Sequence, residues 1–365
     1  MVDSRFTVAF DGHSLGSPAG GVRRYASELF AALSRRDDVA VIAVGASPHA
    51  ALPTGVLLAP AGPTVPTNLG WSVTGLPLTA RNVRADVFHA PAYTAPLWGC
   101  RPLVVSIHDV SYARRPEWYP NRLDPMRLAF YARSARRADR VVACSMFSRD
   151  EIVAAYQLDP ERIDVVPLAV GSAFSPVPER RRELFVLHVG DLHLRRNLRM
   201  LLQAIVELRR SESSLASIRL VLAGADRGEL APLRDLARRL NAVDALEYAG
   251  VPGDDDLAEL YRTASLFAYP SRYEGFGLPV LEAMSSGCPV VSSDAGSLPE
   301  VTGSSAILIP PEDAGAWRDA IRHVLLDPGR ASELAQAGLR RAMTFTWDRT
   351  AEATLASYRR AVSER

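Results

Sequence analysis

Short apolar runs recur along this chain, and stretches with helical spacing separate most of them. Residues 6–10, 39–44, 86–89, 103–107, 140–144 and 163–166 form one series. Residues 184–190, 218–223, 245–248, 265–269, 289–292 and 306–309 form a second. The runs are apolar throughout rather than alternating, the pattern of strands buried on both faces. Such strands, separated by helices, imply a parallel sheet covered on both sides. Two series imply two doubly wound α/β halves, and 365 residues is long for a single core. The expected division is 1–170 for a first Rossmann-like domain, 171–183 for a linker and 184–345 for a second domain. The last segment, 346–365, is expected to be a helix opened by Trp347, Asp348 and Arg349. Proline at 176 and 178 and the charged run 179–183 mark the linker. Residues 45–85, rich in proline and glycine, fit neither pattern.

In open parallel sheets ligands bind beyond the carboxyl ends of the strands, so the strand-to-helix turns are where chemistry is expected. With two such sheets facing one another, the cleft between them is the expected site. One turn stands out. After the run 265–269 come Ser271, Glu274, Gly275, Phe276, Gly277, Leu278 and Pro279, then the helix-forming stretch to Ser286 that contains Glu282. Proline in the first turn and Gly287 at the end bound that helix. Two carboxylates therefore sit beside a helix N-terminus, whose free N–H groups and dipole favour an anion. Gly275 and Gly277 let backbone approach a ligand closely. The combination suits a ligand carrying both hydroxyls and phosphate, such as a nucleotide sugar.

Three other junctions carry candidates. Gly20 and Gly21 open a helix in which Tyr25, Leu29, Ala32 and Leu33 share a face; a phosphate-approach loop and a plain turn fit them equally. Arg195 and Arg196 lie between a strand and a helix, where they could clamp a diphosphate or simply precede an Asn197-capped helix. His108 ends the run 103–107, placed to bond a sugar hydroxyl or to cap a turn. The triplet Asp254, Asp255, Asp256 looks like a metal-binding motif, but it opens a helical pattern where acidic residues stabilise the first turn. No metal ligand is assigned.

Composition removes other chemistries. The chain contains no lysine, so every basic side chain except histidine is arginine. That excludes a Walker-type phosphate loop and lysine Schiff-base chemistry. A net charge of +1 gives no case for nucleic-acid binding. The three cysteines, Cys100, Cys144 and Cys288, form no close pair and fit a reducing cytosol. No run approaches the ~18 apolar residues of a spanning helix, and residues 1–6 lack a signal peptide's apolar region. A cytoplasmic location is expected, with peripheral attachment to the inner face of the membrane as an extension. The motive for that extension is the segment 114–140, where eight arginines interleave with Leu123, Met126, Phe130 and Tyr131. A solvated surface helix explains the same pattern.

The stretch Glu274 to Met284, with Gly287-Cys288-Pro289-Val290-Val291 and Leu298-Pro299-Glu300-Val301, resembles the glutamate-x7-glutamate signature of family 4 (group 1) glycosyltransferases. Gly20-Gly21, His108-Asp109, Cys144-Ser145 and Arg195-Arg196-Asn197 fall in the matching order, so the resemblance covers essentially the whole chain. It implies the GT-B fold: two Rossmann-like domains facing across a cleft, the second binding a nucleotide sugar, with the last helix crossing back to the first. It also implies retaining, metal-independent sugar transfer. By position, Glu274 would meet the donor sugar's hydroxyls and Glu282 the ribose. Gly275, Phe276, Gly277 and Leu278 would approach sugar and phosphates, Gly20 and Gly21 would face the diphosphate, and His108 would contact the sugar. Arg196 falls where the family usually has a lysine that neutralises the leaving diphosphate. Some members carry an earlier arginine; here that place is Asp191, which leaves Arg195 and Arg196 as alternatives for the main cation.

The run from His108 to Tyr112, with Pro116 to Pro120, resembles bacterial mannosyltransferase-like members, so GDP-mannose is the first expectation for the donor. The nucleotide sugar is a substrate, and no cofactor is expected. A glycan or lipid-linked acceptor would suit the basic segment, together with contact to anionic membrane; nucleic acid is not an expected partner. Two other functions fit the same residues: a sugar-nucleotide-binding partner of another transferase, and a sugar-nucleotide epimerase.

Overall fold

A computed structural model of the protein describes residues 5–17, 20–47, 51–60, 62–63, 65, 67–119, 124–177 and 180–364. Pro120, Leu123, Pro178 and Glu179, named above, and Arg122, one of the eight arginines of 114–140, lie outside the described residues. The chain forms two compact units, Met1–Leu168 with Thr346–Arg365, and Ala169–Phe345.

In the first unit the apolar runs become strands β1 (Phe6–Asp11), β2 (Val39–Val44), β3 (Leu57–Leu58), β4 (Val87–Ala90), β5 (Leu103–Ile107), β6 (Arg140–Ala143) and β7 (Ile163–Val165). They form one parallel sheet in the order β3-β2-β1-β4-β5-β6-β7. β3 was not expected: it is two exposed residues at the sheet edge, too short for a hydrophobic pattern to register. The order reverses between β1 and β4, which makes their carboxyl ends the switch point of the sheet.

Helix α1 (Gly20–Ser34) follows β1 and buries Tyr25, Leu29, Ala32 and Leu33, the face its spacing defines. Helices α2 (Pro125–Arg137) and α3 (Met146–Tyr156) follow later strands. Much of the arginine-rich face of 114–140 is consumed by the fold. Arg136 bonds the Tyr156 carbonyl and Arg137 that of Gly99, while Arg140 is paired with Asp164. Phe130 is buried and Tyr131 half-buried, whereas Met126 is exposed.

The second unit contains β8 (Glu183–Val189), β9 (Arg219–Ala223), β10 (Leu246–Gly250), β11 (Ala264–Tyr269), β12 (Val290–Ser293) and β13 (Ile307–Ile309). Their order is β10-β9-β8-β11-β12-β13, again all parallel. Here the reversal falls between β8 and β11. Helices α4 (Leu198–Ser211), α5 (Leu230–Arg239), α6 (Asp254–Thr263), α7 (Leu278–Ser285), α8 (Ala314–Leu326) and α9 (Pro328–Ala342) complete it. Leu201, Ile205, Leu220, Leu233 and Trp317 belong to its core. Asp254, Asp255 and Asp256 occupy the first turn of α6, where they face the positive end of the helix dipole. Residues expected to form a linker are tied to this unit. Phe174 lies edge-on to Tyr261 at 5.9 Å, and Arg182 donates to the Ala264 carbonyl at 2.6 Å.

The last helix, α10 (Trp347–Ser363), belongs to the first unit. Thr346 caps it, accepting from the Arg349 amide. Thr350 reaches the Pro167 carbonyl at 2.8 Å, and Arg360 pairs with Asp164 at 2.6 Å. A buried chain of polar contacts runs beneath it: Tyr358 to His89 at 2.6 Å, His89 to Ser106 at 2.8 Å, and Ser106 to Tyr25 at 2.7 Å. Burial pulls the His89 pKa down to about 3, so its ring is neutral and can donate from one nitrogen while accepting at the other. Among the described residues no helix is long and apolar enough to cross a membrane.

Candidate active site

In the second unit, β8 ends at Val189, just before Gly190, and β11 at Tyr269, the two strands that flank the switch point. Their following turns meet. The Arg196 side chain, only 7% exposed, reaches across to Glu274, 8% exposed, and bonds it together with the Tyr269 hydroxyl. Its guanidinium lies so close over Gly190 that a Cβ there would stand 3.2 Å from it, so glycine makes room for the cation. Ser271 donates to the same Glu274 oxygen at 2.6 Å. Arg195 is half-buried, donates to the Tyr273 carbonyl at 3.0 Å and stands 3.8 Å from Glu274. Two guanidinium groups therefore converge on one carboxylate. Burial lowers the pKa of Arg196, and Tyr269 and Asp191 oppose that shift. An arginine so placed remains charged, since its ordinary pKa is above 12.

The backbone of Glu274 is gripped as firmly as its side chain. Its carbonyl accepts from the Ser297 amide at 3.2 Å and the Ser297 hydroxyl at 3.0 Å. Gly277 opens α7 with φ +102°, a left-handed value that disfavours any side chain, and a Cβ would stand 2.6 Å from Leu298. That glycine is thus required by the local conformation as well as by close ligand approach. Phe276 is buried and edge-on to Phe345 at 5.9 Å. Glu282, 2% exposed, accepts from the Tyr261 hydroxyl at 2.9 Å. Asn197 does not cap α4 through its side chain. It adopts a left-handed backbone with φ +54°, and its amide bonds the Pro311 carbonyl and Arg272. The arginine pair therefore rests on a rigid corner rather than on a simple cap.

In the first unit, Gly20 and Gly21 lie inside the first turn of α1, not in a loop before it. Among the described residues a Cβ at Gly21 would meet nothing within 4 Å. Tyr25, one turn on, packs edge-on to His108 at 4.5 Å. His108 follows β5, and its Nε2 donates to the Pro91 carbonyl at 3.0 Å. That bond leaves Nδ1 as the acceptor nitrogen, and burial keeps the ring neutral by lowering its pKa.

Sequence reasoning passed over Tyr269, Ser271's bond to Glu274, Tyr261 and Asp11. Tyr261 reads as a core aromatic because its hydroxyl partner, Glu282, is distant in sequence. Asp11 ends β1, a position that strand-end reasoning could have flagged. Its Oδ1 accepts from the Trp71 indole N–H at 3.0 Å and from the His13 amide at 3.1 Å.

The fold is thus two parallel doubly wound sheets, with a buried carboxylate–arginine cluster at the switch point of the second. Residues 173–341 match the family described as glycosyl transferases group 1, and residues 19–173 match glycosyltransferase family 4. The O-antigen chain mannosyltransferase B of Escherichia coli is 32% identical over 291 residues, 76% of this chain and 75% of that protein. The D-inositol 3-phosphate glycosyltransferase of Gordonia bronchialis is 32% identical over 242 residues, which cover 62% of this chain and 53% of that one. Among solved structures, HepE of Anabaena in complex with UDP and glucose matches with a TM-score of 0.69 and 19% identity, covering 96% of this chain and 98% of that one. The chain belongs to the family 4, group 1 glycosyltransferases.

Proposed function

We propose that this enzyme moves a sugar from a nucleotide diphosphate sugar to an acceptor hydroxyl, with retention at the anomeric carbon and without a metal ion. The observation that carries the reading is the convergence of Arg195 and Arg196 on Glu274 beside the N-terminus of α7. Negative charge grows on the departing diphosphate, and fixed guanidinium and backbone donors stabilise it without reorganising. In a lysine-free chain only arginine, histidine or a metal can supply that cation. Arg196 is the main candidate, held in place by Tyr269 and Ser271's partner Glu274; Arg195 is the more accessible second charge.

Glu274 is engaged by Arg196 and Ser271, an arrangement that suits orienting sugar hydroxyls more than attacking an anomeric carbon. No protein nucleophile is invoked; the leaving phosphate assists in deprotonating the acceptor. Glu282 would hold the ribose. His108, neutral and with Nδ1 as acceptor, would bond a donor-sugar hydroxyl, and Gly20 and Gly21 would let the diphosphate approach α1. Gly275, Phe276, Gly277 and Leu278 would line the sugar and phosphate path. The E. coli relative's name favours mannose, and GDP-mannose is the proposed donor. A glycan acceptor and a cytoplasmic site of action complete the reading, with membrane contact resting on the remaining exposed arginines of 114–140.

The test is an assay of Arg196→Ala and Glu282→Ala against a panel of GDP, UDP and dTDP sugars. Loss of transfer by about 10²-fold or more is expected for Arg196→Ala. Near wild-type transfer by both variants would remove the assignments, and an isomerised donor in the absence of acceptor would replace transfer by epimerisation.

A further inference from the structure

His188 is a titratable side chain inside the second unit that the transfer reading leaves without a task. It stands in β8, two residues before Gly190, and is fully buried. Its Nδ1 bonds the Ala268 carbonyl at 3.1 Å. A carbonyl only accepts, so Nδ1 carries the proton and Nε2 is left as an acceptor. Burial, helped by the Arg196 charge, pulls the His188 pKa down to about 3, so the ring stays neutral near pH 7. Among the described residues no donor reaches Nε2.

Arg196 shows the complementary fault. Its bonds to Tyr269, Ser271 and Glu274 all leave from Nη1, and its buried Nε–H has no acceptor among the described residues. Both side chains rest on one ring. His188 stacks on Tyr269 with centroids 5.2 Å and planes 18° apart, and the guanidinium carbon of Arg196 lies 5.0 Å from the same Tyr269 centroid. Each unpaired buried atom costs free energy, and a single hydrogen bond from Arg196 Nε to His188 Nε2 would satisfy both. Gly190 leaves room beside the guanidinium for that shift: a Cβ there would stand 3.2 Å from Nη2 and 3.4 Å from Nε.

The chemistry of the ring narrows its role. Ionised phosphate and carboxylate oxygens only accept, so Nε2 has nothing to give them; a guanidinium N–H is the donor this corner contains. Arg196 in turn has a conflict to resolve. With Nη1 on Glu274 its charge is spent on a carboxylate, whereas stabilising a leaving group needs its N–H groups turned to the diphosphate.

We propose that His188 is a positioning residue for Arg196, which has two settings: the one on Glu274 seen in the structure, and one in which Arg196 Nε donates to His188 Nε2. In the second, the Nη groups face the departing diphosphate and Glu274 is released to the donor sugar. The inference rests on the transfer reading above and names the group that holds its cation when donor is bound.

Hydrolysis of GDP-mannose, or of whichever GDP, UDP or dTDP sugar the wild-type protein turns over, tests this without an acceptor. His188→Phe keeps a ring against Tyr269 and removes both nitrogens. His188→Asn keeps a donor for the Ala268 carbonyl but ends short of Nε2, whereas His188→Gln carries an amide oxygen out to that position. In the Phe and Asn variants kcat should fall about 10- to 100-fold, the loss of a hydrogen bond to a charged group, with donor KM little changed. The Gln variant should recover most of that loss. In an Arg196→Lys background, which keeps a cation but has no Nε, His188→Phe should cost less than about 2-fold. A side chain serving packing alone would lose equally in both backgrounds and would not separate Asn from Gln. Urea unfolding shows which variants fold, and Asn carries the comparison if Phe does not. Unchanged kcat in the folded Phe or Asn variant, or equal losses in the two backgrounds, overturns the proposal. Wild-type protein that neither transfers nor hydrolyses any nucleotide sugar overturns the transfer reading, and this inference with it.

Discussion

Glu274→Ala should destabilise the second unit far more than a turn residue ordinarily does. The carboxylate and the Arg196 guanidinium are 8% and 7% exposed, and the replacement leaves a buried cation facing only the Tyr269 hydroxyl and the weak 3.5 Å contact to Ser271. Breaking a buried pair from one side costs about 3–5 kcal/mol, because the stranded charge has lost both water and partner. At about 2–4 °C per kcal/mol for a unit of this size, its melting temperature should fall by roughly 6–20 °C. Removing both charges is different in kind. Arg196→Met with Glu274→Gln leaves no bare ion, so the double variant should lose less than Glu274→Ala alone. Urea unfolding of the three proteins, followed by intrinsic fluorescence and by far-UV circular dichroism, gives the comparison. If Glu274→Ala costs under about 1 kcal/mol, or the double variant loses more than Glu274→Ala, the pair is not the buried unit described here.

Other outcomes follow from the same geometry. Gly277→Ala forces a side chain onto φ +102° and into Leu298, so it should cost about 1–3 kcal/mol and weaken donor-induced thermal stabilisation; an unchanged melting curve would refute the strain. His89 and His188 are each held near pKa 3, chiefly by burial, below the ordinary value of about 6.5. Unfolding then takes up protons between those values, so stability is full above pH 6.5 and declines by up to about 1.4 kcal/mol per pH unit per histidine as pH falls. Urea midpoints between pH 8 and pH 5 test this, and a flat profile contradicts it. Burial would raise the Asp164 pKa, but the bonds and charge of Arg140 and the charge of Arg360 outweigh it and hold the group below the usual carboxylate range. Its contribution is therefore present above about pH 4 and lost as pH falls further, and Asp164→Asn should flatten that acid limb.

The sheets were legible because buried parallel strands are apolar along their whole length, and every run in both series became a strand. What the pattern missed was short or paired across the fold. β3 is two exposed residues, and the Asn197 corner depends on Pro311 and Arg272, far from it in sequence. The candidate site divides in the same way. Glu274, Arg195, Arg196 and His108 sit at strand–helix junctions, where topology alone makes polar residues conspicuous, and Glu282 lies within the helix that follows one of them. Tyr261 and Trp71 carry no such mark, because their importance lies in which carboxylate they reach. Asp11 shows the limit most clearly: its position could be read, but not the indole that takes one of its oxygens.

The first unit is interrupted in sequence by the whole of the second, since Thr346–Arg365 returns to complete it. During synthesis from the N-terminus, Ala169–Phe345 emerges as a continuous stretch with all six of its strands and can close its own core. The first unit cannot finish at that stage. His89 has Ser106 beside it from early on, but its second partner, Tyr358, is made only after the whole of the second unit. Until α10 arrives, a buried histidine nitrogen and one flank of the sheet wait uncovered, so the first unit is completed after the second. Domains that fold as units usually do so in the order they emerge. Here the order inverts, and the exposure of the nascent first unit to chaperones and proteases is set by the time needed to translate the second.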